Sequence, residues 1–350
     1  MRGVEAVRRF GCRAAMMAAL VAVAAAGARA DAVDDFYRGK PITFISASGP
    51  GGGNDLYARI VAQHLPDHVP TGQLVVVQSM PGASGIRGAQ YIYNVAPRDG
   101  LTIGMVQNNL PFIPLFSGQK EQFDPTKFNW LGSPSQETAF LLIWHTVPVD
   151  TLDDAKRREL ILGTTGPAST PAFYGRVLAT VFGIKIKAVH GYKGQTESFL
   201  AMERGENEGF ASTFWSSLKA QYPQWLAEHK VKILVQYGAK ANPELKDVPF
   251  ALDRIADADD RLLMEIASAP LGLGRPSLAP PDVPAERVAY LRRALDRMFA
   301  DARFLGDCAK QNLQCDSPVT GEEIAAKLAK AYAAPPAVLA KLQDINNATR

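Results

Sequence analysis

Cysteine is scarce in this chain, with three in 350 residues. Cys12 precedes the apolar run from Ala14 to Ala26, so it does not hold the position of a lipidated cysteine. Cys308 and Cys315 are the other two, and in an oxidising compartment they can form a disulfide. Cys308 is predicted to end a helix, which leaves their separation open. Two free buried thiols are the alternative.

The chain also lacks an excess of positive charge once its first thirty residues are set aside. Those residues hold five arginines against one glutamate, a net of +4, whereas the whole chain has a formal net charge of +3. The rest is therefore close to −1, and no basic stripe remains for nucleic acid. Beyond the N-terminal run, no segment is long and apolar enough to span a membrane. About 320 residues remain, which is enough for two domains.

The N-terminal residues predict an export signal. Arg8, Arg9 and Arg13 precede the apolar run, and Ala28-Arg29-Ala30 has the small-x-small form of a signal-peptidase site. We expect residues 1–30 to be removed and the mature chain to begin near Asp31. A membrane anchor is the alternative, but the run is shorter than the roughly 20 residues that a spanning helix needs. The pair Arg8-Arg9 leaves open whether the general secretory or the twin-arginine route is used.

Three strand–turn–helix units are predicted, each with a turn rich in glycine, serine or threonine. The strand Ile42–Ile45 precedes the turn Ser48–Asp55, and the strand Leu74–Val77 precedes the turn Met80–Gly85. A third turn, Gly163–Thr170, begins a helix that Ser169 or Thr170 is expected to cap. Backbone N–H groups at such junctions are unpaired within the helix, so they suit an anion.

Strands and helices alternate over most of the remaining chain, which predicts an α/β protein. Further strands are predicted at residues 101–106, 140–144, 186–190, 210–213, 232–237 and 270–273. The stretch Gly274–Pro284 contains four prolines and is interpreted as a connector. Apolar residues from Val288 to Leu305 form one helical stripe, Thr320–Glu323 has the form of a capping box, and a last helix follows Pro335-Pro336.

The usual catalytic and metal-binding motifs are absent or incomplete. No Lys-Ser/Thr pair follows the first glycine turn, and Asn54 stands where a dinucleotide fingerprint has its third glycine. Ser84 lacks the final glycine of a nucleophile elbow. His64 and His68 have the spacing of a zinc pair, but Pro66 separates them, so we interpret them as the frayed end of a surface helix.

The order and spacing of several blocks resemble one family. The blocks are Lys40–Ile45, Pro50–Asp55, Met80–Gly85, Arg98–Thr102, Gly166–Ser169 and His190–Gly194. Together they resemble the periplasmic solute receptors, often called Bug receptors, of tripartite tricarboxylate transporters, over nearly the whole mature chain. Each block alone is weak, but the gaps between the blocks also agree.

The resemblance implies a type II periplasmic binding protein fold, in which two α/β domains joined by crossing strands enclose a ligand cleft. We expect residues 31–132 and 241–350 to form a discontinuous domain 1 and residues 133–240 to form domain 2. The implied function is capture of a small organic acid and its delivery to the membrane permease subunits of such a transporter. The implied receptor is periplasmic, is not an enzyme, and needs no cofactor or metal; we expect a monomer, and the sequence leaves a dimer open.

The resemblance also implies the ligand-binding residues. Backbone groups of Gly51, Gly52, Gly82 and Ala83 would hold a carboxylate, and Asp55 would shape the opposite part of the cleft. Side chains expected to line the pocket are Ser48, Asn108, Ser169, Thr170, Tyr192 and Ser212. Four charge-assisted hydrogen bonds of roughly 1.5–3 kcal/mol each suffice for an affinity near micromolar, so no arginine is assigned to the ligand.

Departures from the family pattern concern the ligand. Ser48, Ser79 and Gly191 replace the apolar, asparagine and proline residues that are common there. Phe214 and Trp215 either supply an apolar wall or belong to the core. No particular acid is therefore assigned.

Two rival functions use the same clamp. One is a sensory protein that presents its closed form to a membrane kinase. The other is a periplasmic enzyme with Asp55, Ser169 or Lys193 as chemical groups. Lys193 is otherwise a solvent-facing turn lysine, and Asp55 otherwise pairs with Arg59.

Overall fold

A computed structural model describes residues 32–50, 53–69, 74–118, 120–167 and 169–348. The predicted export signal and the turn glycines Gly51 and Gly52 lie outside these described residues. Within the described ranges, no helix is long and apolar enough to cross a membrane.

Helices and strands alternate as the sequence predicts. The helices are α1 (residues 32–37), α2 (Gly53–His64), α3 (Ile86–Asn94), α4 (Ile113–Ser117), α5 (Leu152–Arg157), α6 (Thr170–Phe182), α7 (Gln195–Glu203), α8 (Trp215–Gln221), α9 (Pro223–Ala227), α10 (Ala258–Ser268), α11 (Ala285–Phe299), α12 (Ala302–Lys310), α13 (Gly321–Tyr332) and α14 (Pro336–Asn347). The strands are β1 (Ile42–Ser46), β2 (Val75–Ser79), β3 (Thr102–Met105), β4 (Asn129–Ser133), β5 (Thr138–Trp144), β6 (Glu159–Gly163), β7 (Lys185–Val189), β8 (Gly209–Phe214), β9 (Val231–Gly238), β10 (Ser277–Ala279) and β11 (Val319–Thr320).

The first sheet has six strands in the order β11-β4-β10-β3-β1-β2. Strand β1 pairs in parallel with β2 and β3, with Phe44 opposite Val77 and Ile103. Strand β10 returns antiparallel between β3 and β4. The carboxyl ends of β1, β2 and β3 therefore lie at one edge of the sheet, where ligands of such sheets bind.

The second sheet has five strands in the order β7-β6-β8-β5-β9. Strand β6 pairs in parallel with β7 and β8, whereas β5 is antiparallel to β8 and β9. The segment after β9 stays with this sheet, because Gln236 pairs with Phe250 and α10 packs against α6 and β9. The domain division at residue 240 remains a prediction.

Two neighbouring segments connect the sheets and are joined by hydrogen bonds. The amide of Glu137 donates to the Leu271 carbonyl at 2.8 Å, and the amide of Arg275 donates to Ser133 Oγ at 2.8 Å. Gly274 has φ +57°, and a Cβ there would lie 1.8 Å from the Ser135 carbonyl oxygen. Only glycine permits this close approach, which brings Arg275 against the first connection. We call residues 133–137 and 271–275 the hinge.

Several boundaries differ from the sequence predictions. Residues 270–273, predicted as a strand, lie in a 3₁₀ helix, Ala269–Leu273, because Pro270 stands at its start and supplies no donor to a sheet. The stripe from Val288 to Leu305 is broken into α11 and α12, where Asp301 caps α12 by accepting from the Arg303 amide. Strands β4, β10 and β11 were not predicted.

Other predictions are confirmed. Thr320 and Glu323 form the capping box of α13, and α14 begins at Pro336. The alternatives left open for Cys308 and Cys315 are decided in favour of a disulfide, with their Cα atoms 6.3 Å apart. The bond joins α12 to the segment before β11.

The two histidines, His64 at the end of α2 and His68 in the 3₁₀ turn that follows it, are not at a surface helix end. His64 is buried and its Nε2 lies 3.1 Å from Asp307 Oδ2, while His68 Nε2 lies 3.3 Å from Asp301 Oδ2. Both partners belong to α12 or its cap, so the histidines attach α2 to that helix. Among the described residues, no cluster of three or more histidine, cysteine or acidic side chains could hold a metal.

Candidate functional site

A cavity of about 310 Å³ lies between the two sheets and is bounded by the hinge. Its size falls at the lower end of the range for small-molecule sites, roughly 300–1,000 Å³. The lining residues come from both sides of the cleft and are Asn54, Gln107, Asn108, Asn109, Ile113, Phe116, Ser117, Thr170, Phe173, Tyr174, Phe214, Pro270, Leu271, Arg275 and Asn346. A ligand held there would contact both halves of the protein at once.

Arg275 is the cation of this cavity among the described lining residues. Its side chain is 17% exposed, and its Nη2 lies 3.2 Å from Glu137 Oε1. The guanidinium carbon lies 5.1 Å from the centroid of the Tyr57 ring, and Nη1 donates to the Gly274 carbonyl at 3.3 Å. Its Nε is buried without a hydrogen-bond partner in the described structure. The guanidinium is therefore held in place but not fully hydrogen-bonded.

Glu137 is the acidic partner of Arg275 and is almost completely buried. Its Oε2 accepts a hydrogen bond from Ser216 Oγ at 3.1 Å. Burial raises the pKa of Glu137 above its ordinary value, while Arg275 and the Ser216 hydrogen bond act in the opposite direction and are weaker. Burial therefore penalises the charged form of the carboxyl that orients Arg275.

Gln107 connects the second glycine turn to the cavity. Its Nε2 donates to the Ala47 carbonyl at 3.2 Å. Its Oε1 lies only 1.8 Å from the position that a Cβ on Gly85 would take. Gly82 and Gly85 have φ values of +132° and +92°, which favour glycine. The turn thus packs its backbone directly on a side chain that lines the cavity. Gln107 Oε1 has no hydrogen-bond partner among the described residues.

The third turn brings the start of α6 to the cavity. Ser169 is the N-cap residue, as predicted, but its Oγ donates to the Gly166 carbonyl at 2.6 Å and does not cap the helix. Thr170 lines the cavity, and Pro171 follows at an early helical position where its missing N–H has no effect. The amino end of α6 therefore faces the cleft.

Aromatic side chains form one wall of the cavity. Phe116 and Phe173 stack with ring centroids 5.3 Å apart and an interplanar angle of 23°. Phe214, at the end of β8, also lines the cavity. Trp215, in contrast, is buried and packs edge-on against Phe140. Phe214 therefore supplies the apolar wall, and Trp215 belongs to the core.

Asp55 lies beside the cavity but is not exposed to it. Its side chain is completely buried, with Arg59 Nε 2.7 Å from Oδ2 and Ser79 Oγ donating to Oδ1 at 3.2 Å. The carboxylate therefore joins the start of α2 to the end of β2. The pairing with Arg59 that the four-residue spacing predicts is present, and the bond to Ser79 is additional.

The remaining predicted residues occupy different places. Asn108 and Thr170 line the cavity. Ser48 Oγ lies 3.2 Å from Ser46 Oγ, and the Tyr192 hydroxyl accepts from Asn207 Nδ2 at 3.3 Å. Ser212 is buried on β8, with no hydrogen-bond partner for its Oγ among the described residues.

Gly82 and Ala83 are exposed in their turn and do not line the described cavity. Lys193 is exposed in its turn as well.

A larger cavity, of about 490 Å³, is lined by β6, β7, α6 and the turns beside them, together with Ala348 after α14. The charged and polar groups around it are paired internally. Arg176 donates to the carbonyls of Ile345 and Pro167 at 2.7 and 2.9 Å, and Thr164 Oγ1 lies 2.6 Å from His190 Nδ1. The cavity at the hinge is the better candidate, because it joins both halves and retains unpartnered polar atoms.

Sequence reasoning missed Arg275, Gln107 and the aromatic wall. Arg275 lies in the proline-rich stretch that was interpreted as a connector, and the arrangement that turns it inward depends on Gly274 and Ser133, which are distant in sequence. One signal was available: an arginine directly after Gly274 at a crossing between domains. Spacing alone does not distinguish such an arginine from a solvated one.

Comparisons with known proteins agree with this architecture. The family profile described as "Tripartite tricarboxylate transporter family receptor" matches residues 57–254. The "UPF0065 protein in gbd 5'region" of Cupriavidus necator is 26% identical over 299 residues, covering 83% of this chain and 85% of that protein.

Solved structures show the same fold. A TctC solute-binding protein from Polaromonas has a TM-score of 0.71 at 20% identity, with 89% of this chain and 99% of that chain covered. An R. palustris protein solved with adipate has a TM-score of 0.58 at 20% identity, with 89% of this chain and 98% of that chain covered.

Proposed function

Because this chain belongs to the tripartite tricarboxylate transporter receptor family, we propose that it captures a small carboxylate in the cleft at the hinge. The observation that carries the proposal is the cavity of about 310 Å³ between the two halves, with a guanidinium at its hinge end. A solute that touches both halves stabilises the conformation in which they are close together, which is how a two-domain receptor signals occupancy.

We further propose that the protein acts in the periplasm, after removal of residues 1–30, and delivers its ligand to membrane permease subunits. The family supports this role. The receptor is proposed to act as a monomer without a cofactor and without catalysis. The related R. palustris structure holds a carboxylate, adipate, which supports the ligand class.

The proposed ligand contacts combine the predicted residues with those that the cavity adds. Asn108 and Thr170 contact the ligand, and the turns at Gly51-Gly52 and Gly82-Ala83 contribute backbone donors. Ser48, Ser169, Tyr192 and Ser212 do not line the described cavity and are kept as further proposed ligand contacts. Asp55 shapes the first turn through Arg59 and Ser79.

A thermal-shift screen tests this function. Mature protein, residues 31–350, freed of co-purified ligand, is heated with mono-, di- and tricarboxylates and with neutral amides of the same shape. A carboxylate present at 100 times its dissociation constant should stabilise the protein by about 2.7 kcal/mol, because it binds only the folded state. The neutral amides should shift the melting temperature less.

If no carboxylate raises the melting temperature while a sugar or a cationic solute does, the proposed function is wrong. Deletion of the gene separates transport from sensing, since a transport receptor is required for uptake and a sensory protein for induction. Turnover of a bound acid would reveal an enzyme.

A further inference from the structure

The cleft cavity has one charged side chain among the described residues that line it. Arg275 carries a positive charge, and no aspartate or glutamate belongs to the lining. The other polar groups are neutral amides and hydroxyls, which accept or donate to a hydroxyl and a carboxylate alike. The charge of the lining therefore matches one carboxylate.

The guanidinium has donors to offer a ligand. An arginine carries five N–H donors in a planar fork, and Nε of Arg275 is buried without a hydrogen-bond partner in the described structure. Glu137 lies 3.2 Å from Nη2 and holds the group from the hinge side, where the Tyr57 ring covers one face. A carboxylate in the cavity would accept from the guanidinium that lines it. Glu137 is then a positioning residue for Arg275.

The rest of the cavity offers an apolar surface. Phe116, Phe173 and Phe214 form the aromatic wall, and Ile113, Leu271 and Pro270 adjoin it. The rings of Phe116 and Phe173 stack on each other, and both residues line the cavity. A second ionised group placed against these side chains would lose its hydration without gaining a cation, which is strongly unfavourable.

We propose that the ligand is a monocarboxylic acid with an apolar body, aromatic or aliphatic, whose carboxylate binds Arg275 while its body packs on Phe116, Phe173 and Phe214. This inference rests on the proposed function and names the class of acid. A cavity of about 310 Å³ holds the volume of roughly ten water molecules, which suits an acid of the size of benzoate or hexanoate.

The class of acid is tested by isothermal titration calorimetry of the wild-type mature protein with benzoate, hexanoate, adipate and citrate. Benzoate or hexanoate should bind at least ten times more tightly than adipate and citrate. Benzamide, the neutral counterpart of benzoate, should bind at least tenfold more weakly than benzoate, since it cannot form a charge-assisted hydrogen bond with the guanidinium.

Tighter binding of adipate or citrate would overturn the inference but leave the proposed function intact. Equal binding of benzoate and benzamide would also overturn it. If none of the four acids binds, the apolar monocarboxylate class is rejected, and the wider thermal-shift screen then decides whether the carboxylate function survives.

The role of Arg275 is tested by substitution. Arg275→Gln should weaken binding of the preferred acid by roughly tenfold to a hundredfold, and Arg275→Lys should restore part of the loss, because it keeps the charge without the fork. Arg204→Gln is the matched control, since that arginine is 70% exposed and remote from the cavity. Circular dichroism checks that each variant is folded.

An affinity of Arg275→Gln within threefold of wild type would show that the guanidinium does not anchor the ligand. If Arg275→Gln does not fold, the comparison of benzoate with benzamide on wild type decides whether affinity depends on the carboxylate charge. The affinity of Arg275→Lys then decides whether the planar N–H donors of the guanidinium are required.

Discussion

The first glycine turn and the hinge both contain a buried carboxylate, but the two differ in how completely their polar groups are paired. Asp55 accepts from Arg59 and Ser79 and ties α2 to β2. At the hinge, Glu137 and Arg275 lie 3.2 Å apart, yet Glu137 Oε1 and Arg275 Nε have no hydrogen-bond partner in the described structure.

The difference separates a carboxylate that joins elements of the fold from a pair that, in our proposal, acts on the ligand. Most buried polar groups in folded proteins are hydrogen-bonded, and an unpaired one lowers stability by roughly 1–3 kcal/mol. Asp55 follows that rule within its own half of the molecule. At the hinge, in contrast, Glu137 Oε1 and Arg275 Nε are buried and have no hydrogen-bond partner in the described structure. The cavity between the halves begins at this place. We expect substitutions at the first turn to change stability more than affinity, and substitutions at Arg275 to change both, because they remove the cation beside the buried Glu137 carboxyl.

The largest effect is expected from Gly274→Ala in the hinge. The new Cβ would lie 1.8 Å from the Ser135 carbonyl oxygen, at a φ of +57°, so the two connections would have to separate. The free energy of unfolding should fall by roughly 3 kcal/mol or more. Urea denaturation monitored by circular dichroism measures it.

Gly166→Ala in the third turn is the control for this substitution. A Cβ there meets nothing within 4 Å, so its effect should stay within about 0.5 kcal/mol. Equal effects at Gly274 and Gly166 would contradict the interpretation of the hinge as closely packed.

A smaller effect is expected from Asp55→Asn. The substitution removes the charge that accepts from Arg59, whose side chain is about half exposed, and it weakens the bond from Ser79. The free energy of unfolding should fall by about 1–2 kcal/mol, while the affinity for a carboxylate should fall by less than it does in Arg275→Gln. Urea denaturation and calorimetry on the same preparation compare the two quantities.

Asp35→Asn serves as the control, because Asp35 and Arg38 form an exposed pair and no measurable loss is expected there. If Asp55→Asn abolished binding without loss of stability, the assignment of Asp55 to the fold would be wrong.

The smallest effect concerns the pair of His68 and Asp301, remote from both regions. Burial lowers the pKa of His68 below its ordinary value of about 6.5, and the nearby Asp301 carboxylate offsets this only partly. The unfolded chain therefore binds the proton more readily than the folded one. The stability associated with neutral His68 is present above about pH 6.5 and is lost as the pH falls below that value.

His68→Asn should consequently lose less stability than wild type between pH 7.5 and pH 5.5, as measured by the urea midpoint at each pH. The difference should be smaller than the effects at Gly274 and Asp55. If the urea midpoints of wild type and His68→Asn changed in parallel with pH, His68 would not contribute to the pH dependence of stability.

The alternation of strands and helices could be predicted because each element carries its own local pattern. The β-branched run at Ile42 indicates β1, and the glycines of the Met80–Gly85 turn indicate a sharp reversal before α3. The capping box at Thr320 places the start of α13 for the same reason. Prediction failed where partners are distant: β10 is held between β3 and β4, and Pro270 begins a 3₁₀ helix and not a strand.

The sequence by itself determined the alternating α/β architecture, the family resemblance and the positions of the turns between strands and helices, because these depend on residues close together in the chain. Only the tertiary structure decided that Arg275 lines the same cavity as Phe116 and Phe173. That arrangement depends on contacts between segments more than a hundred residues apart, such as the bond from the Arg275 amide to Ser133. Local patterns carry no record of which distant segments meet, so the position of Arg275 in the cavity became visible only in the folded chain.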